Sequence, residues 1–365
     1  MKKRRKFYAV LGSIGILSGI GQWMMLSFAA PFFGSFLVLA VFLLAPFIFM
    51  IPNMLGDKIP QALCRCMAYV GGYWFIFTIY MNIFLVPFIA LQIIFTFIGH
   101  TQIWLEVSSA WAWMAITVTA VLLPVGAYRA AHPVLRRITL HTDKPLGRHL
   151  TIAFASDLHL GMVLGKKFCS ELVERFNDIK ADVVILGGDI IDGNWMFVER
   201  EGSLEPFRNL RAKLGAFAVF GNHDYYSLHT NDEKKMLECA GIKCLMGEKV
   251  LFAEGLQVSG LEDYLYFPDK AIPKASSEHY SILAEHEPKR IREAANLGYD
   301  LYLAGHTHAG QFWPLRFFTR KMFLLDFGIK QFESMQAIVT SGYGSWGTLF
   351  RLTQRPEIVI VSVEN

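Results

Sequence analysis

The chain has 365 residues, of which 53% are hydrophobic and 18% are charged. This length suits two domains rather than one, and the composition is more apolar than that of an average soluble domain. The formal net charge is only +4. It gives no support for a nucleic-acid partner, because such proteins concentrate basic residues on one surface.

Charged residues are distributed unevenly along the chain. A basic cluster occupies residues 2–6, and no Asp, Glu, Lys or Arg follows until Asp57. Two further charge-free stretches occupy residues 66–105 and 107–128, beyond which the composition is mixed. This change of composition predicts three segments: a membrane region over 1–130, a linker over 131–149 and a second domain over 150–365.

The charge-free stretches are long enough for four membrane-spanning helices, since about 20 apolar residues cross the hydrocarbon core. Lys and Arg fall at the N-terminus, between the second and third spans, and after the fourth. Because basic residues favour the cytoplasmic side, the N-terminus and the C-terminal domain are expected to face the cytoplasm. The predicted spans lie near Phe7–Phe28, Phe32–Ile51, Tyr69–Phe97 and Trp104–Ala127.

Two other interpretations of the apolar half exist. Arg4 and Arg5 precede an apolar run, as in a cleaved signal sequence, but three further apolar stretches would still hold the domain at the membrane. Core helices of a soluble protein would not lack charge over such lengths. The spans contain no ionisable residue except His100 at an edge, so we expect an anchor rather than a transporter.

In the C-terminal half, short apolar runs alternate with stretches of helical periodicity. Strands and helices that alternate in this way, followed by more strands, predict an α/β domain with two stacked mixed sheets flanked by helices. The predicted strands are Thr151–Ser156, Ala181–Leu186, Gly215–Phe220, Leu256–Gly260, Tyr280–Ala284, Asp300–Ala304, Ala337–Val339 and Glu357–Val363. The predicted helices are Phe168–Ile179, Leu204–Leu214, Asp232–Cys239 and Arg290–Asn296.

Carboxylate, amide and imidazole side chains follow five of these strands. Ligands bind beyond the carboxyl ends of strands in open α/β sheets, so the five groups are expected to converge. Such oxygen and nitrogen donors suit Mn²⁺, Fe or Zn²⁺. They outnumber the ligands of one ion, which favours two ions sharing an aspartate. The candidates are Asp157, His159, Asp189, Asp192, Asn222, His223, His286, His306 and His308.

The motifs SDLHLG, GGDIID, GNHD and GHTH occur in this order, with the lone His286 between the last two. In this respect the chain resembles the calcineurin-like metallophosphoesterase family, from Thr151 to Asn365, and specifically its membrane-anchored bacterial-type branch. One departure is Ala309, where many relatives have glycine. Glu285 and Glu287 flank His286 without a role in this pattern.

The resemblance implies a role for each candidate. Two divalent ions are expected, Mn²⁺ first with Fe or Zn²⁺ as alternatives, and a hydroxide held between them attacks phosphorus. His223 stabilises charge on the phosphate and protonates the leaving oxygen, and Asp192 orients His223. Asp189 bridges the ions. The first ion is bound by Asp157, His159 and His308, and the second by Asn222, His286 and His306.

The predicted function is therefore metal-dependent hydrolysis of a phosphoester, as a phosphodiesterase or phosphohydrolase at the cytoplasmic membrane surface. The expected partners are the lipid bilayer and a phosphoester substrate. The suggestion of a lipid-linked substrate rests only on the predicted membrane anchor. Soluble phosphoesters are the alternative substrates. The alternative is a non-catalytic membrane scaffold with a structural metal pair. The basic and apolar segment 316–325 is open to three interpretations: a membrane-interface element, a substrate-holding element or a packed loop.

Overall fold

The computed structural model describes the backbone of residues 2–365 and the side chains of residues 12–52 and 54–365. The chain forms two compact units, with the boundary between Ala127 and Tyr128.

Four long helices make up the first unit, with a short 3-10 helix at Pro31–Gly34 where the sequence predicts a break. The helices are α1 (Lys2–Ser27), α2 (Phe36–Leu55), α3 (Gln61–Phe97) and α4 (Thr101–Ala131), whose last residues belong to the second unit.

Within the described part of the chain, α3 and α4 are long and apolar enough to cross a membrane, and the apolar part of α2, Phe36–Pro52, is shorter. The first predicted span falls on α1, and its residues 7–11 lie outside the described side chains. The structure thus supplies two candidate membrane helices, and the four-span arrangement stays a prediction.

Small and polar residues join the helices of the first unit. A Cβ on Gly71 would lie 2.6 Å from the Cα of Phe49, so glycine allows α2 and α3 to approach closely. The amide of Gln22 donates to Asn82 at 2.8 Å, and Asn82 donates to Ser18 at 2.9 Å. Small residues and polar side chains of this kind hold helices together where hydrophobic burial cannot discriminate between partners.

The second unit contains two six-stranded mixed sheets, which confirms the predicted α/β class. The strands are β1 (Val134–His141), β2 (Leu150–Ala155), β3 (Val183–Gly187), β4 (Gly215–Val219), β5 (Ile242–Cys244), β6 (Glu248–Phe252), β7 (Leu256–Gly260), β8 (Tyr280–Ala284), β9 (Leu301–Ala304), β10 (Gly328–Phe332), β11 (Met335–Val339) and β12 (Glu357–Glu364). The first sheet has the order β1-β12-β2-β3-β4-β5 and the second the order β10-β11-β9-β8-β7-β6. The strands β2 to β5 run parallel, and so do β7, β8, β9 and β11.

The helices of this unit are α5 (Lys166–Ile179), α6 (Trp195–Glu201), α7 (Asn222–Tyr226), α8 (Thr230–Cys239), α9 (Ile291–Asn296) and α10 (Leu315–Met322), with 3-10 helices at Glu205–Asn209 and His308–Gly310. Helices such as α5 and α9 cover the outer faces of the two sheets.

The main core of this unit lies between the two sheets. Phe154 and Ile185 of the first sheet share one buried cluster with Ile282 and Leu303 of the second. On the other face of the first sheet, Phe176 of α5 belongs to a separate cluster. Central strands such as β3 are buried along their whole length. For this reason their sequences are continuous runs of apolar residues.

Two local features differ from the predictions. The expected linker 131–149 contains β1, which pairs with β12 over eight residues. β1 is a half-exposed edge strand with two arginines, so no apolar run marks it. The expected helix Leu204–Leu214 is only the 3-10 helix Glu205–Asn209. The backbone N–H groups of Arg211 and Leu214 donate to Asn177 and Asp182 instead of to a helix.

Candidate metal centre

The candidate residues lie just beyond the carboxyl ends of five parallel strands. Asp157 and Asp189 follow β2 and β3, and Asn222 follows β4 in the same sheet. In the second sheet, His286 follows β8 and His306 follows β9. Because the two sheets are stacked, these ends deliver donors to one place from both sides.

Five of the candidates have a left-handed backbone. Their φ angles lie between 49° and 71°, which is uncommon for non-glycine residues and costs about 1–3 kcal/mol each. Backbone hydrogen bonds hold this conformation, such as those from Asp157 N to Gly188 O (2.9 Å) and from His159 N to Asp189 O (3.0 Å). Strain kept in this way is typical of functional sites. The five residues are Asp157, His159, Asp189, His306 and His308.

Asp157, His159 and His308 form the first cluster of side chains that could hold a metal ion. The Nε2 atoms of His159 and His308 lie 3.0 Å apart, and Asp157 Oδ1 lies 3.3 Å from His308 Nε2. All three residues are buried.

Asp189, His286 and His306 form the second cluster. His286 Nε2 lies 3.2 Å from Asp189 Oδ2 and 3.2 Å from His306 Nδ1. Asp189 Oδ2 is also 3.9 Å from His159 Nε2 of the first cluster. Asp189 is therefore the residue that lies between the two clusters.

Hydrogen bonds on the far side of each ring fix the tautomers of the second cluster. His286 Nδ1 lies 2.9 Å from the carbonyl oxygen of Gly187 and donates to it. His306 Nε2 lies 3.1 Å from Glu287 Oε1. The lone pairs of His286 Nε2 and His306 Nδ1 therefore face each other. Metal-binding histidines are oriented in this way by carbonyls and carboxylates.

The donor set fits divalent cations. Two buried lone pairs at 3.2 Å repel each other unless a proton or a cation lies between them. Asn222 Oδ1 is buried and has no hydrogen-bond partner among the described residues, a costly state for an amide oxygen. Burial opposes ionisation of Asp189, but the imidazoles of His286 and His223 hold its pKa well below the ordinary range. The centre thus offers an ionised carboxylate, an amide oxygen and imidazole nitrogens.

Arg351 is a fully buried residue that the sequence did not single out. Its guanidinium lies 2.9 Å from His308 Nδ1 and donates to the His308 carbonyl oxygen at 3.0 Å. Burial and the charge of Arg351 hold the pKa of His308 well below its ordinary value, so the ring is neutral. Burial and the neighbouring His286 lower the pKa of His306 to about 3. Both rings are therefore neutral, as a metal-binding imidazole must be.

Asp192 contacts two histidines. Its Oδ1 lies 3.2 Å from Nδ1 of His223 and 3.2 Å from Nδ1 of His159. Burial lowers the pKa of His223, but Asp189 and Asp192 outweigh this effect and raise the pKa to about 9. The structure thus brings together all nine predicted residues, and Asp192 positions a ring of the first cluster as well as His223.

The two glutamates beside His286 have separate roles. Glu287 accepts a hydrogen bond from His306. Buried Glu285 instead forms an ion pair with Arg290 and accepts a hydrogen bond from the hydroxyl of Tyr302. The sequence carried a signal for Glu287, since an acidic residue beside a ligand histidine is a common orienting partner. Ala309, where many relatives have glycine, has a φ of 49°, a conformation that glycine adopts more easily.

Comparison with known proteins agrees with this geometry. Residues 150–310 match the family model described as calcineurin-like phosphoesterase. The chain is 34% identical over 261 residues to an uncharacterized metallophosphoesterase of Aquifex aeolicus, covering 67% of this chain and 97% of that protein. The chain belongs to the calcineurin-like phosphoesterase family. Membership in this family indicates metal-dependent hydrolysis of phosphoesters.

Two further relatives match over part of their length. An uncharacterized metallophosphoesterase of Helicobacter pylori is 33% identical over 247 residues, which cover 62% of this chain and 63% of that protein. A Danio rerio protein named transmembrane protein with metallophosphoesterase domain is 30% identical over 268 residues, 67% of this chain and 61% of that one. The chain thus spans less than two thirds of these two relatives.

Glu287→Gln is expected to weaken the binding of one divalent ion by about 10-fold to 100-fold, because an amide orients His306 less well than a carboxylate. The affinity is measured by titrating metal-stripped protein with Mn²⁺. Glu278→Gln, a change at an exposed carboxylate that precedes β8, is the matched control. Equal affinities in the two variants would contradict the role of Glu287.

Proposed function

We propose that this protein is a membrane-anchored phosphodiesterase or phosphohydrolase that uses two divalent ions at the cytoplasmic membrane surface. One observation carries the proposal: side chains from five strand ends converge on a single buried carboxylate, Asp189, with His286 Nε2 at 3.2 Å and His159 Nε2 at 3.9 Å from it. Carboxylate, amide and imidazole groups gathered in one buried place favour a cation-dependent task.

In this proposal, Asp189 would contribute to the binding of both ions. Asp157, His159 and His308 would hold the first ion, and Asn222, His286 and His306 would hold the second. When bound, such a pair supplies positive charge to the phosphoryl oxygens and lowers the pKa of bound water. Mixed nitrogen and oxygen donors suit Mn²⁺, our first choice, with Fe or Zn²⁺ as alternatives.

His223 is the proposed general acid. Its side chain is 27% exposed and lines the cavity that opens onto the centre. With a raised pKa it carries a proton at neutral pH, which it donates to the leaving oxygen of the substrate. The Asp192 carboxylate accepts a hydrogen bond from Nδ1–H of His223, and so it directs Nε2 of His223 toward the cavity. A scaffold with structural metals needs no such pair, which favours the enzyme over the scaffold.

The membrane location rests on the two candidate spans and on relatives named as transmembrane proteins. Four spans with the catalytic domain in the cytoplasm agree with the distribution of Lys and Arg. Tethering places the centre near lipid headgroups, and we propose a lipid-linked phosphoester as the substrate.

The full-length protein in detergent, loaded with Mn²⁺, is expected to hydrolyse bis-p-nitrophenyl phosphate. Asp189→Asn is expected to reduce kcat by at least about 1,000-fold, because it removes the charge shared by both clusters. The release of nitrophenolate gives the rate, and Asp232→Asn, an exposed carboxylate, is the control. Activity that survives in Asp189→Asn would refute the mechanism.

Asp192→Asn is expected to move the basic limb of the kcat/KM–pH profile to lower pH, by on the order of one unit. An acid that must be protonated loses activity as pH rises through its pKa. Asp192 raises the pKa of His223, so its neutralisation lowers that pKa. Rates between pH 6 and pH 10 test this, and an unmoved basic limb would exclude His223 as the acid.

Cys239 is exposed in α8. Its reaction with a thiol reagent therefore shows on which side of the membrane the second unit lies. In spheroplasts, a membrane-impermeant maleimide is expected to leave Cys239 unlabelled until the cells are lysed. A cysteine introduced as His100→Cys, between α3 and α4, is expected to react without lysis. Labelling of Cys239 in intact spheroplasts would reverse the proposed orientation.

A further inference from the structure

Helix α10 keeps its apolar face out of the protein core. Leu315, Phe318 and Met322 share one face by helical spacing, and the structure leaves every residue of α10 at least partly exposed. Phe318 is 54% exposed and Met322 66%. A surface helix normally buries its apolar face against a core. The apolar face of α10 is not buried in this way, so core packing does not explain it.

The apolar face of α10 lines the cavity at the candidate metal centre. The cavity has a volume of about 360 Å³. Its lining includes polar groups of the centre, such as Asn222, His223 and His306, together with Leu315, Phe318 and Met322 of α10. Phe323, which follows α10, also lines the cavity, and its ring centroid lies 5.7 Å from that of His306. One cavity thus combines polar groups of the centre with an apolar surface from α10.

The opposite face of α10 has a different character. Phe317 is 56% exposed but does not line the cavity, and Lys321 Nζ lies 4.1 Å from the centre of its ring. Arg320 is also exposed on this side. Phe317 and Phe318 are therefore adjacent, chemically identical and almost equally exposed, and only Phe318 contributes to the cavity wall.

We propose that the apolar wall formed by Leu315, Phe318 and Met322 binds an alkyl chain of the substrate while its phosphate lies at the metal centre. This deepens the proposed function and rests on it: the substrate is a phosphoester of a long-chain alcohol or lipid. The apolar wall and the polar groups of the centre line the same cavity. A single molecule that carries both a phosphate and an alkyl chain would contact both, and this is why we propose such a substrate.

The chemistry of the wall favours an alkyl chain over a nucleobase. Leu315, Phe318 and Met322 offer no hydrogen-bonding group to the edge of a base. The nearby Thr319 hydroxyl is already engaged by Arg316 O at 3.2 Å. Met and Leu side chains adapt to a flexible chain, whereas base recognition needs fixed polar partners.

The test uses alkyl p-nitrophenyl phosphodiesters with methyl, butyl and octyl chains and full-length, Mn²⁺-loaded protein. Water adds to phosphorus, the bond to the aryl oxygen breaks, and the products are an alkyl phosphate and p-nitrophenol, so the leaving group is constant. A fully buried CH₂ contributes about fourfold. A wall that covers one side of the chain is expected to raise kcat/KM by about twofold per CH₂.

Phe318→Ser and Met322→Ser are expected to flatten this dependence on chain length to nearly onefold per CH₂. Phe317→Ser, the matched control, is expected to retain the wild-type dependence. Equal flattening by Phe317→Ser and Phe318→Ser would overturn the proposal, because it would mean that α10 contacts detergent or membrane rather than substrate. Cleavage of all three esters at equal kcat/KM overturns the alkyl site alone. No cleavage of any ester overturns the proposed function itself.

Discussion

The charge of Asp189 organises the centre of the second unit. It is buried, ionised, and in contact with imidazoles from both clusters. An isolated carboxylate would be costly in such a place, so its surroundings are built to favour the anion. The N–H of His223 donates to Asp189 Oδ1 at 2.9 Å. The neighbouring Asp157 similarly accepts from His306 N at 3.0 Å. Backbone donors thus stabilise the negative charge that the proposed cations need.

This constraint explains the left-handed turns at the strand ends. With these turns, the N–H of Asp157 donates to the carbonyl oxygen of Gly188, and the N–H of His306 donates to the carboxylate of Asp157. The side chains of Asp157, Asp189 and His306 meanwhile take part in the two clusters. The stacked sheets supply the rigidity that keeps such unfavourable backbone conformations, and the packed aromatic and aliphatic side chains between them supply the free energy.

Much of the centre was predictable from the sequence, because each ligand directly follows a continuous apolar run. β3 and its Asp189 show this plainly: VVILG is buried on both faces, and the first polar side chain after it enters the site. The edge strand β1 was not predictable, since its pairing with β12 joins segments more than 200 residues apart and its side chains are half exposed. The contact of Arg351 with His308 also joins separate segments, 43 residues apart. Local patterns identify what a strand end delivers, whereas the residues that orient it depend on the tertiary fold.

The donors of the centre come from different layers, and this has a thermodynamic consequence. Asp157, Asp189 and Asn222 follow strands of one sheet, and the candidate ligands His286 and His306 follow strands of the other. A cation that binds residues from both sheets holds the two sheets together. Metal binding and folding are therefore linked equilibria. An ion at about 1,000 times its Kd would add about 4 kcal/mol to the free energy of unfolding. A chelator would then weaken the domain itself, and metal supply would set how long each molecule lasts in the cell.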